Sequence, residues 1–128
     1  MKDFVSLGIR CFQVSDQTAK YDVLVDTGKN KMIRIQCKTS SPLKSEYGDI
    51  CGFKFNSSSI SAHSGKSHGY SKRDIDFFYT YFQDKSYLIP VEDATQTRTF
   101  VRLEKTLNSQ KQKIRYAKDY EFNKIISV

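Results

Sequence analysis

Two short runs rich in apolar and β-branched residues, Tyr21 to Asp26 and Met32 to Cys37, flank the pentapeptide Thr27-Gly28-Lys29-Asn30-Lys31. A turn with Gly and Asn between two such runs predicts a β-hairpin. The hairpin constrains the chain because side chains alternate faces along a strand. Gln36 and Lys38 therefore share one face, and Ile35 and Cys37 point to the other. Asp22 shares its face with Leu24 and Asp26. Pairing across the hairpin can bring Asp22 to within roughly 5–8 Å of Gln36 and Lys38, measured between Cβ atoms of direct or diagonal neighbours. The register itself is not written in the sequence.

A carboxylate, an amide and an ammonium gathered in this way are what a magnesium-dependent phosphodiesterase needs. Asp22 is a hard oxygen donor of the kind Mg²⁺ takes, alone or with one other carboxylate and several waters. The Gln36 carbonyl oxygen is a neutral, weaker donor, and the backbone carbonyl of Cys37 can complete that side. Lys38 can hold or deprotonate an attacking water, or offset charge on the phosphate. A bound metal would lower the pKa of its water and polarise a phosphoryl oxygen. The competing account is a solvated face of an ordinary amphipathic strand, with Asp22 at its start.

The segments "YDVLVD" and "IRIQCKTS" resemble the core of the PD-(D/E)XK nuclease superfamily. The nearest resemblance is to the variant in which Gln replaces the second acid, as in homing endonucleases of bacterial group I introns. Further segments resemble the family in order: Gly8–Phe12 before the first strand, Asp76–Tyr81 and Tyr87–Glu92 as a later strand pair, and Tyr116–Tyr120 towards the C-terminus. The resemblance implies an α/β (α+β) restriction-endonuclease-like fold, with a mixed central sheet flanked by helices, in one domain over residues 1–128. It implies catalytic Asp22, Gln36 and Lys38 and a metal held by Asp22, Gln36 and Cys37. Mg²⁺ is the expected metal, with Mn²⁺ as substitute. Double-stranded DNA is the implied substrate and a homo-oligomer, dimer or tetramer, the implied assembly. Family members usually begin with a helix whose Glu joins the metal site. Here only Lys2–Leu7 precedes Gly8, and no Glu occurs before Glu46. A shortened first helix is therefore expected. Asp26, Glu46 and Asp49 are the other acids within reach in sequence. A DNA-binding module of the same fold without a working metal site is the alternative.

Composition agrees. The 128 residues suffice for one domain and one core. A net charge of +7 and a pI near 9.3 favour a polyanionic partner. Hydrophobic content of 38% and a mean hydropathy of −0.56 suit a soluble protein, and no apolar run approaches the ~20 residues of a membrane span. The cysteines Cys11, Cys37 and Cys51 are odd in number and lack metal-type spacing, which argues against disulfides and zinc and for a reducing cytoplasm.

Along the rest of the chain, Ile9–Val14 predicts a first strand and Ser40-Ser41-Pro42 a stop to the hairpin. Ile50–Phe55 alternates, with Cys51, Phe53 and Phe55 on one face. Asp74–Phe82 and Tyr87–Val91 predict two strands joined across Gln83–Ser86. Thr99–Leu103 predicts an edge strand and Lys111–Tyr120 a basic helix. Asn56–Arg73 holds seven serines, two glycines, two histidines, three cations and no acid. Such groups contact phosphates, and they also make up ordinary surface loops. The candidate DNA contacts are Lys54, His63, Lys66, His68, Lys72 and Arg73. A second basic cluster comprises Lys105, Lys111, Lys113, Arg115 and Lys118.

Overall fold

Alternation along the predicted hairpin appears as burial. The computed structural model describes residues 10–15, 20–27, 31–60, 67–103 and 114–125. Within it β2 (Val23–Asp26) and β3 (Met32–Cys37) pair antiparallel, Val23 opposite Ile35 and Val25 opposite Ile33. These four side chains face one side and are buried. β1 (Arg10–Gln13) adds to the outer edge of β2. On its other side β3 pairs in parallel with β8 (Phe77–Phe82), which turns back antiparallel as β9 (Lys85–Pro90). The mixed five-stranded sheet has the order β1-β2-β3-β8-β9, so β3 is central.

The β8–β9 connection is tighter than the expected four residues. Gln83 and Asp84 alone form it, with φ of 48° and 65°. Positive φ at both central residues is the geometry that matches the twist of a two-residue hairpin. β8 also starts later than expected, because Asp74 closes a turn in which its own Oδ2 accepts from Ser71 N–H, 3.0 Å.

A parallel pair needs a long crossover. Between β3 and β8 the chain builds β4 (Ser40–Lys44) and β5 (Ile50–Asn56), which β10 (Arg98–Arg102) joins in a three-stranded sheet of order β10-β5-β4. A ribbon of β6 (Ser58–Ile60) and β7 (Ser67–Gly69) follows. The expected stop at Ser40-Ser41-Pro42 is thus the start of a strand. Pro42 is tolerated because β4 is an edge strand, where one side has no ladder to lose. Residues 58–60 and 67–69, expected as loop, are paired as strands. Gly52 is required by packing: a Cβ there would lie 2.2 Å from the Val101 carbonyl oxygen.

The two larger sheets pack face to face. Phe53, Phe55 and Val101 from the three-stranded sheet meet Phe78, Tyr87 and Ile89 from the five-stranded one. The Phe53–Tyr87 and Phe55–Phe78 ring centroids lie 4.9 and 5.3 Å apart, within the range of favourable tilted pairs. The opposite face of the larger sheet carries Val23, Val25, Ile33, Ile35 and Leu88, with Phe122 against them.

Helix is scarce among the described residues. One four-residue helix, α1 (Phe122–Ile125), and 3-10 turns at Val91–Asp93 and Ala117–Asp119 are present. The fold is sheet-dominated α+β, and flanking helices of the expected length do not occur in the described part. The expected helix over Lys111–Tyr120 gives way, in its described portion, to a bridge at Tyr116 and the short turn. Backbone bonding explains this: the Arg115 carbonyl accepts from Arg102 N–H, 2.7 Å, which is a sheet contact. The expected first helix over residues 3–7 lies outside the described residues. No helix among them is long and apolar enough to cross a membrane.

Candidate active site

The hairpin register decides what meets Lys38. Val23 stands opposite Ile35, so Asp22, one residue before β2, falls at the level of Gln36. The Asp22 N–H donates to the Ile35 carbonyl, 2.9 Å, and the Cys37 N–H donates to Asp22 Oδ2, 3.0 Å. The carboxylate therefore sits beside the last residue of the central strand. Lys38 follows at once, its N–H donating to the Tyr79 carbonyl, 2.9 Å. Its ammonium donates to the Ser58 carbonyl, 3.3 Å, and lies 5.2 Å from the centroid of the Tyr70 ring. The crossover segment thus supplies both contacts that hold the Lys38 head.

Electrostatics follow from this half-buried setting. Burial lowers the Lys38 pKa, and the charge of Asp22 opposes part of that shift. Burial, reinforced by Asp22, raises the pKa of the Cys37 thiol. The Cys37 side chain lies on the strand face opposite Gln36 and Lys38, packed against the apolar cluster, so any contribution of Cys37 to a metal comes from its backbone. The N–H and C=O of one strand residue point to the same side. The Cys37 carbonyl therefore faces the edge on which the Asp22 carboxylate sits.

The donors on that edge are all oxygen: a carboxylate, a backbone carbonyl and, at the same level, the Gln36 amide. Such a set fits a hard, partly hydrated cation such as Mg²⁺. Among the described residues it holds a single carboxylate, and no cluster of three or more His, Cys, Asp or Glu forms. Asp26, Glu46 and Asp49 do not join it. Asp26 is opposite Met32 and Arg10 at the far end of β2, roughly 13 Å along the strand from Asp22 at ~3.4 Å per residue. Glu46 and Asp49 occupy the exposed turn between β4 and β5, at the end of β4 remote from Lys38.

The candidate DNA contacts are spread out. Lys72 and Arg73 are exposed in the turn before β8. Lys54 lies on β5 opposite Phe100 and Ser41, on the face turned away from the core. His68 is placed by backbone pairing opposite Ser59. His63 and Lys66 lie outside the described residues, as do Lys105, Lys111 and Lys113. Arg115 is structural: its Nε donates to the Asp93 carbonyl. The exposed Lys118 ammonium lies 5.8 Å from the centroid of the Tyr116 ring.

One functional arrangement is not legible in the motif. Arg34 lies on the same strand face as Gln36 and Lys38, and its guanidinium donates to the carbonyls of Arg73, 2.5 Å, and Lys72, 2.8 Å. Asp76 Oδ2 accepts from the Arg34 N–H, 2.9 Å, and from its Nε, 3.3 Å. Burial pushes the Asp76 carboxyl up, but the bonds and charge of Arg34 outweigh it and hold the pKa below its ordinary value. The central strand thus fixes the turn that carries Lys72 and Arg73. The i, i+2 spacing of Arg34, Gln36 and Lys38 is a signal for the shared face. Nothing local signals the turn, 38 residues away.

Known proteins share the family and the fold of this chain. A family model described as PD-(D/E)XK endonuclease matches residues 3–123. Among solved structures, the bacterial homing endonuclease I-Ssp6803I is similar, with a TM-score of 0.65 and 16% identity, over 94% of this chain and 79% of that one. At that identity the likeness is one of fold. A search of curated protein sequences finds no significant match.

Proposed function

The chain belongs to the PD-(D/E)XK endonuclease family, and on that premise we propose that it is a Mg²⁺-dependent DNA endonuclease of the homing type, cutting at Asp22, Gln36 and Lys38. The observation that carries this reading is the Cys37 N–H bond to Asp22 Oδ2 next to the tethered Lys38 ammonium. It gathers acid, amide and amine at one end of the central strand.

Asp22, Gln36 and the Cys37 carbonyl would hold the cation, with Mn²⁺ as substitute. The cation, when bound, supplies a more acidic water and a polarised phosphoryl oxygen. Lys38 Nζ would orient the attacking water. Its lowered pKa raises the fraction of neutral amine able to take a proton, and its charged form offsets negative charge on the phosphate. Lys72 and Arg73, held by Arg34, engage phosphates flanking the scissile one, and Lys54 adds a contact on the second sheet. One site cuts one strand, so cutting a duplex calls for a symmetric dimer or tetramer of single-domain chains. A cytoplasmic setting suits a chain whose three cysteines are odd in number and lack a disulfide pattern.

A second reading, a DNA-binding module that has lost catalysis, is favoured by the single carboxylate among the described residues of the site. The test is cleavage of mixed supercoiled plasmids by wild type and Lys38→Ala, with Mg²⁺, Mn²⁺ or EDTA. Metal-dependent nicking by wild type alone supports the nuclease and its site. Salt-dependent binding without nicking supports the module.

A further inference from the structure

The second sheet has an outer face that the catalytic reading does not use. Partners across a sheet share a face, so Arg98, Asn56, Phe100 and Lys54 turn their side chains away from the buried Thr99, Val101, Phe53 and Phe55. Arg102, opposite Gly52, is half-buried with its guanidinium donating to Cys51 Sγ, 3.3 Å. On the far strand Ser41 and Leu43 continue the same face, and a register irregularity leaves Lys44 opposite Ile50. The strands β4, β5 and β10 contain four cations, Lys44, Lys54, Arg98 and Arg102, and no acid. Phe100 stands in the middle, 43% exposed. A solvated sheet face without function ordinarily mixes charges and hides its aromatics.

Ser58 links this face to the candidate active site. A cleft of about 460 Å³ is lined by Asn56, Ser58, Thr97, Arg98 and Phe100, and the Ser58 carbonyl is the acceptor that holds Lys38 Nζ. Asn56 Oδ1 braces the junction by accepting from the Ser58 N–H, 2.9 Å, and hydroxyl, 2.6 Å.

We propose that the outer face of β4–β5–β10 docks double-stranded DNA, with Arg98, Arg102 and Lys54 on phosphates and Phe100 against base edges in the major groove. The proposal rests on the nuclease reading for its choice of DNA and extends it to residues outside the motif. Three features fit a duplex. The face is purely cationic. Arg98 and Arg102 are four residues apart, roughly 13 Å at ~3.4 Å per strand residue, close to the ~12 Å width of the major groove. Strands and sheets are known to enter that groove, where an apolar side chain finds the thymine methyl.

The test measures binding of a random-sequence 30-base-pair duplex over a salt series, without divalent metal, for wild type, Arg98→Ala, Arg98→Lys, Arg102→Ala and Phe100→Ala. Each Arg→Ala variant is expected to flatten the plot of log K against log salt by about 0.9, the share of one phosphate contact. Arg98→Lys should restore the slope, which a merely structural role would not predict. Phe100→Ala should keep the slope and weaken binding several-fold. Wild-type slopes in folded Arg98→Ala and Arg102→Ala overturn the docking face. Metal-dependent plasmid nicking by wild type together with unchanged slopes overturns this face alone and leaves the nuclease standing. Absence of both nicking and duplex binding in wild type overturns both.

Discussion

Lys38 is held half-buried between the Ser58 carbonyl and the Tyr70 ring, and its pKa is lowered by that burial despite the nearby Asp22. A lysine whose folded pKa lies below its unfolded value disfavours folding wherever the unfolded chain binds more protons. Stability attributable to it therefore rises with pH between the lowered value and the ordinary one. Lys38→Met keeps the stem and removes the charge. We expect it to abolish nicking while raising the urea midpoint of unfolding at pH 7, with a flatter dependence of stability on pH above neutrality than wild type. A lower midpoint together with lost cleavage would mark Lys38 as structural. Asp22 and Cys37 illustrate how far the residue types alone reached. The carboxylate was legible as a ligand candidate. The bond that orients it comes from a backbone N–H, which every residue but proline carries.

At the scale of elements, the central strand and the turn before β8 act together. Arg34 spans them with bonds to the carbonyls of Lys72 and Arg73 and to Asp76. Arg34→Ala removes the clamp and leaves the Asp76 carboxylate, about a quarter exposed, without its cation. The expected result is weaker duplex binding with a flatter salt slope, because two cations lose their fixed position. Cleavage at saturating DNA should fall less than it does in Lys38→Ala. Equal losses of binding and of turnover would show that Arg34 acts on the chemistry itself.

The β8–β9 hairpin offers a separate element-scale test. Gln83 and Asp84 both adopt positive φ, a conformation that costs an L residue roughly 1–2 kcal/mol. Gln83→Asn with Asp84→Gly should stabilise the fold by about 1 kcal/mol, read as a higher urea midpoint with unchanged slope. The exposed Tyr81 hydroxyl loses its Asp84 acceptor at 3.2 Å, which takes back only part of the gain.

For the whole molecule, the C-terminal segment closes the core between the two sheets. Tyr120 is buried there, its hydroxyl donates to Asp93 Oδ2, 3.0 Å, and burial followed by that bond pushes its pKa up to about 12. The neutral phenol is thus favoured in the folded state. Its contribution is fully present below the ordinary tyrosine value near 10 and is lost as pH rises through about 12. Wild type should lose stability across that window. Tyr120→Phe should be less stable at pH 7 and should show a smaller alkaline loss in thermal unfolding. An identical alkaline limb in both proteins would remove Tyr120 from the account.

The sequence by itself determined the parts that depend on neighbours in the chain. Period-two alternation separates Asp22 from Val23 and Val25 on one strand, and Gln36 and Lys38 from Ile33 and Ile35 on the other, while the register that puts both apolar sets on one face came from the fold. The Gly- and Asn-bearing connection makes the two runs a hairpin. The alternation of Phe53 and Phe55 likewise marks β5 as a strand with one buried face. Only the tertiary structure decided the rest. The parallel pairing of β3 with β8, the edge role that admits Pro42, the sheet contact that replaces a helix at Arg115, and the meeting of Lys38 with Ser58 and Tyr70 all join distant segments. Local patterning sets which face a side chain takes, whereas the partner on that face is chosen by burial and hydrogen bonding summed over the whole chain.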